Sequence, residues 1–143
     1  MADFTDIRQA LAARGATVDG IRQGTADDIS DLAMVPAVKV SHVERAETTE
    51  RGAGYELRRL RIRGLLLCPK AADTGRAEAE VERLCELLTV AHRSGILLGL
   101  AGYVQDSALE SWTFVTAAIG GMELPAADLT YMVVIREAVT RSA

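Results

Sequence analysis

Tyr55-Glu-Leu-Arg-Arg-Leu-Arg-Ile-Arg-Gly-Leu-Leu-Leu-Cys-Pro-Lys70 is the stretch on which the fold of this chain turns. Its first half alternates Arg59, Arg61 and Arg63 with Leu60 and Ile62, the period of a β-strand with one wet and one dry face. Its second half, Leu65-Leu66-Leu67-Cys68, is apolar on both faces, as a strand end buried in a core would be. Read as one strand, it would reach roughly 50 Å at ~3.3 Å per residue. A compact domain of 143 residues is under roughly 40 Å across. The expectation is an inner end in the core and an outer end that projects. A bulge or break at Gly64, giving two ordinary strands, is the alternative, and it leaves the arginine row in place.

Upstream, Pro36 opens a strand over Ala37–Val43, where proline is acceptable as a first or edge residue. Between the two strands lie Glu44 to Gly54, with Glu44, Arg45, Glu47, Glu50 and Arg51, no apolar periodicity and glycines at the end. That composition reads as a mobile hairpin tip. A mobile tip on a long strand makes an arm, expected to be disordered in a free subunit and to order on contact with a partner. Arg59, Arg61 and Arg63, projecting to one side at roughly 6.7 Å intervals, are the candidate interface together with the charged tip; a solvated face is the plain alternative.

Asp3 to Arg14 reads as a short helix, capped by Asp3 or Thr5, with Phe4, Ile7, Ala10 and Leu11 as its apolar stripe and Gly15 as a left-handed stop. Val18 to Ser30 predicts a short strand around Ile21 followed by a loop. After Pro69 the period changes to 3.6. Asp73 or Thr74 caps a helix in which Ala77, Val81, Leu84, Cys85, Leu88 and Ala91 share a face, and Gly95 ends it. Glu78, Glu82 and Glu86 line its outer side, as a solvated face or as an acidic surface meeting a basic neighbour or lining a channel. Ile96–Ala101 is an apolar connector or strand. Glu110–Ile119 and Ala127–Glu137 read as two further strands, joined through Gly120-Gly121 to Pro125. The fold class expected is α+β: one domain over residues 1–143, a mostly antiparallel sheet with two helices packed on one face, and a projecting β-hairpin arm.

Composition excludes several functions. The formal charge of −4 argues against general nucleic-acid binding, which draws on phosphate neutralisation by Lys and Arg. No apolar run approaches the ~18 residues of a bilayer span. The opening Met-Ala-Asp-Phe-Thr-Asp has no signal-peptide pattern, so synthesis in a cytoplasm is expected. Cys68 and Cys85 read as small core residues, and His42, Cys68, Cys85 and His92 are too scattered for a metal site. His92 is expected in the last helical turn, where its protonated form would favour the dipole. Gly95, Gly99 and Gly102 lack the Gly-Lys-Ser/Thr of a phosphate loop. Asp27 and Asp28, and Asp106 with Glu110, are acid–base candidates only in a weak sense, and capping and solvation explain them better. No catalytic residue, cofactor or metal is expected, and assembly is a better expectation than catalysis.

The order of features resembles a known family. Asp6-Ile-Arg-Gln-Ala-Leu-Ala12, an Ile-Arg-Gln segment, an Asp-Asp-Ile loop, Val35-Pro-Ala-Val38, a charged hairpin and a Gly-Tyr strand running into Ile62–Leu67 come in that order. Ala-Asp-Thr before an acidic amphipathic helix follows, then Ile119-Gly-Gly121 and Val133-Val-Ile135. Together they are similar to the tail-terminator, or tail-completion, proteins of long non-contractile-tailed bacteriophages. In place of that family's more extended polar segment, this chain has the apolar Gly95–Gly102 run. The resemblance implies a non-enzymatic homo-oligomeric ring, typically a hexamer, located in the virion at the head–tail junction. It would cap the tail-tube protein and dock to the head-side connector or stopper protein, while DNA passes without specific binding and no membrane is involved. The alternatives are a stopper or tail-tube subunit from the same assemblies, or, from another class, a small α+β enzyme or ligand-binding module.

Overall fold

The computed structural model describes residues 3–29, 34–71, 73–93, 100 and 102–139. Helix α1 (Phe4–Gly15) precedes strands β1 (Gln23–Thr25), β2 (Ala37–Gly52) and β3 (Tyr55–Leu67); helix α2 (Thr74–Arg93) and strands β4 (Val104–Ile119) and β5 (Met122–Ala138) follow. The five strands form one sheet in the order β1-β2-β3-β5-β4, antiparallel except for the β1–β2 pair. This is an α+β fold. The Gly95 helix stop and the Ile96–Ala101 connector, Leu100 apart, lie outside the described residues.

Both helices lie on one face of the sheet. Ile7 and Leu11 of α1 and Val81, Leu84, Cys85 and Leu88 of α2 share a buried cluster with Val38, Val40, Leu60, Ile62, Leu129 and Tyr131. Alternation does this: Leu60, Ile62 and Leu66 point to the helices while Arg59, Arg61 and Arg63 point away. α1 starts where Asp3 and Asp6 cap each other's backbone N–H groups, at 2.9 and 3.0 Å. At its other end Gly15 is not a left-handed stop. It remains helical, and a Cβ there would meet Val38 and Leu88 at 3.4–3.5 Å, ordinary contact distances, so neither backbone nor packing demands a glycine. The Asp73 carboxylate starts α2 by accepting the Arg76 N–H at 2.7 Å. The short first strand falls at Gln23–Thr25, with Ile21 buried just before it.

The principal strand is thirteen residues long and ends at Leu67. Gly64 does not break it. The bulge lies opposite, in β2, where the register shifts between Val40 and His42. The segment 44–54 also differs from its expectation: β2 continues to Gly52 and only Ala53 and Gly54 form the turn. Three register shifts, at Val40/His42, Val43/Arg45 and Thr48/Glu50, re-aim successive side chains and so erase the period of two that marks a strand. Nor is the hairpin an unsupported arm. β5 pairs with β3 along its whole length, from Tyr55↔Ala138 to Leu67↔Ala126, and the Val139 N–H bonds Gly54 O at 3.0 Å.

The unflanked hairpin is at the opposite end. β4 and β5 continue four pairs beyond β3, from Thr116↔Pro125 to Ile119↔Met122. The segment Gly120 to Pro125 is thus mostly strand, and its turn is Gly120-Gly121 alone. Both turn residues have positive φ, 59° and 80°, the geometry that makes glycine pairs the natural choice in two-residue hairpins.

Candidate interaction surface

The sheet face turned away from the helices carries no helical residue in its apolar cluster. That cluster is Leu67, Leu124 and Ala126, with Leu65, Val115, Ala117 and Ile119 packed around it and Ile29 and Val35 over it. Beyond it, the same face is crossed by Arg63, Arg61 and Arg59. Arg59 and Arg61 are exposed and Arg63 is half-buried. Half-buried Met132 and Val134 of β5 lie beside them, opposite Arg61 and Arg59 respectively.

The three arginines have different surroundings. Arg59 reaches Glu110 of β4 at 3.7 Å, a loose and exposed ion pair. Arg63 donates to the Thr130 hydroxyl at 3.1 Å. Arg61 stands directly opposite Arg45, and its side chain has no ion pair or hydrogen bond among the described residues. Like charges directly opposite on neighbouring strands are destabilising. Arg45 itself turns to Glu47, 3.2 Å away on its own strand. Arg58, just before the row begins, belongs to the helix face, where it pairs with Glu137 at 3.3 Å and lies over the Phe4 ring.

The charged residues of the β2–β3 end are organised by the ladder. Tyr55 donates its hydroxyl to Glu50 at 3.1 Å, and Arg51 reaches Glu56 at 3.6 Å. Glu44 is exposed at the second register shift. Tyr55 also lies under the Arg136 guanidinium, 4.4 Å from its ring centre, at a shallow depression shared with Tyr103 and Gly54. Glu78, Glu82 and Glu86 are all exposed on α2. Since α2 covers the other face of the sheet, the arginine row and the acidic row lie on opposite sides of the two-layer structure, and the fold does not bring them together.

Of the candidate carboxylates, Asp106 and Glu110 lie on β4 rather than in a loop, and these two and Asp28 have structural partners. Asp28 pairs with Lys39, and this hydrogen bond and charge hold its pKa below the usual value. Asp106 accepts the Ser107 N–H at 2.9 Å, and Glu110 is the partner of Arg59. Cys68 and Cys85 are buried free thiols, both pushed up to about 12 by burial. His92 occupies the last turn of α2 as expected, but is fully buried. Burial, with the positive charge of Arg14, lowers its pKa to about 4, so it is neutral and cannot act on the helix dipole as a cation. Among the described residues no group of three or more His, Cys, Asp or Glu side chains is placed to hold a metal ion, and no helix is long and apolar enough to cross a membrane.

Sequence reasoning missed the β4–β5 extension, although the Gly120-Gly121 pair marks its turn. Met122, at its tip, is 48 % exposed. Comparison with family models and with curated proteins gave no match.

Proposed function

We propose that this chain is a structural subunit of a bacteriophage tail, a tail terminator that closes as a ring, typically a hexamer, on the finished tail tube. The ring would join the tube to the head-side connector and leave a channel for DNA. The reading rests on the sequence resemblance. The observation that supports it structurally is the sheet face crossed by Arg59, Arg61 and Arg63, which neither helix covers, a surface suited to contact with another protein. The net charge of −4 fits passage of DNA without retention, because acidic groups outnumber the cations that would neutralise phosphates, 20 to 16.

Complementation of tails assembled without this protein tests the reading. Added protein is expected to stop tube growth and to allow tails to join heads. Tails that mature and join heads equally well without it would overturn the proposal. Cryo-electron microscopy of the parent particle then separates the related roles. A ring at the tube end is expected, whereas density between connector layers would assign a stopper and density along the tube a tube subunit.

A further inference from the structure

We propose that copies of this chain bind one another head to tail, the arginine row of one copy seating on the acidic outer side of α2 in the next. The inference rests on the ring element of the function proposed above, and not on what the ring caps.

The two surfaces match in order and in spacing. Along β3, alternate residues on the open face are Arg59, Arg61, Arg63 and then Leu65, at roughly 6.7 Å per step. Along α2, every fourth residue on the outer side is Glu78, Glu82, Glu86 and then Val90, at about 6 Å per step. Each row is three charges of one sign followed by one aliphatic side chain. Val90 is 57 % exposed, unusual for valine, and Leu65 is half-buried at the rim of the apolar cluster.

Each row is also poorly compensated within its own chain. Arg61 faces Arg45; Glu47 stands opposite Arg59 but pairs with Arg45 at 3.2 Å, which leaves Arg59 the long, exposed pair with Glu110. Glu78, Glu82 and Glu86 form no ion pair among the described residues, and like charges at i,i+4 are mutually unfavourable. Contact between the rows would relieve both repulsions. Because the rows lie on opposite sides of the fold, the contact cannot be satisfied by a two-fold dimer that uses one patch twice. It repeats, with α2 held between its own sheet and the neighbour's, and it closes as a ring when the rotation per step permits.

Charge reversal in trans tests this. R59E/R61E/R63E has two acidic surfaces and E78R/E82R/E86R two basic ones. By sedimentation at high protein concentration and low salt, each variant alone is expected to associate about tenfold or more weakly than the parent. An equimolar mixture is expected to recover association, with the two variants alternating. Circular dichroism of each variant guards against misfolding. As a second measurement on near-native protein, mixing Arg61→Cys with Glu82→Cys under mild oxidation should give mixed disulfide dimers in preference to either homodimer. A monomeric parent protein, parent-like association of both variants, or no recovery on mixing folded variants would overturn this contact. The ring on tail tubes would then stand or fall by complementation alone.

Discussion

The Tyr131 ring meets the His92 imidazole edge-on, with centroids 5.2 Å apart and planes inclined at 72°. Both side chains are fully buried, one at the centre of β5 and the other in the last turn of α2, so the contact joins helix layer to sheet at the middle of the core. Neither imidazole nitrogen has a hydrogen-bond partner among the described residues, nor has the Tyr131 hydroxyl. Arg14, from the end of α1, adds positive charge nearby, and burial keeps the Tyr131 hydroxyl protonated well above its usual range.

Stability should therefore fall as pH drops below about 6.5. The imidazole pKa is about 4 in the folded protein against a reference of 6.5, so between those values the unfolded chain binds the proton and the folded one does not. The contribution is fully present above the unfolded pKa and is lost as pH falls through the window, by roughly 3 kcal/mol at its lower end. Urea unfolding at pH 7 and pH 5 measures this. His92→Phe, which keeps a ring beside Tyr131, should be markedly less sensitive over the same interval. An equal slope in the variant would locate the effect in other groups.

Tyr131 also explains Gly64. A Cβ at position 64 would lie 2.8 Å from Tyr131 Cε2 and 3.0 Å from the Lys39 carbonyl oxygen, so one obstacle is a buried ring and the other is backbone. Gly64→Ala should cost about 1–3 kcal/mol, the usual scale for overpacking a core. In the double variant with Tyr131→Leu the penalty at position 64 should shrink, since the ring is gone and only the carbonyl contact remains. Thermal unfolding of the four proteins of this cycle gives the coupling; strict additivity would show that the ring is not the obstacle.

The thiols should be silent in the folded protein. Cys68 and Cys85 are at most 1 % exposed, and burial raises both to about 12. Since the thiolate is the reactive form, a thiol reagent at neutral pH should label both only in denaturant. Rapid labelling of either in buffer would contradict this burial.

Much of this architecture is legible because ordinary alternation and helical period survive in the core. Leu60, Ile62 and Leu66 announce the inner face of β3, and Val81, Leu84, Cys85 and Leu88 that of α2. The rest is hidden for physical reasons. The outer part of β2 carries three register shifts and a largely charged set of side chains, so its residues meet no single environment and show no period. Charges on such an edge disfavour unwanted strand pairing, yet in a sequence they look like a loop. His92 misleads in another way: a polar residue in a last turn suits the dipole, and only the packing of β5 and α1 reveals that it is sealed in. The arginine row was visible, but its lack of compensation depends on Arg45 lying opposite, which a bulge upstream decides.

Hydrogen exchange should distinguish the observed hairpin from a loose tip. From Val40 onward β2 has β3 on one side and, among the described residues, no strand on the other, so its amides fall into two classes. Those bonded to β3 should be protected in the isolated protein, and those facing the open edge should exchange much faster. Protection should persist close to the turn, because β5 borders β3 to Tyr55 and the Val139 N–H closes onto Gly54 O. Amide-resolved measurements over residues 44–52 decide it. Uniform exchange near the unfolded rate would restore the expectation of a mobile tip, whereas alternating protection in the free protein would mean that a partner meets a preformed edge and that little ordering cost opposes binding there.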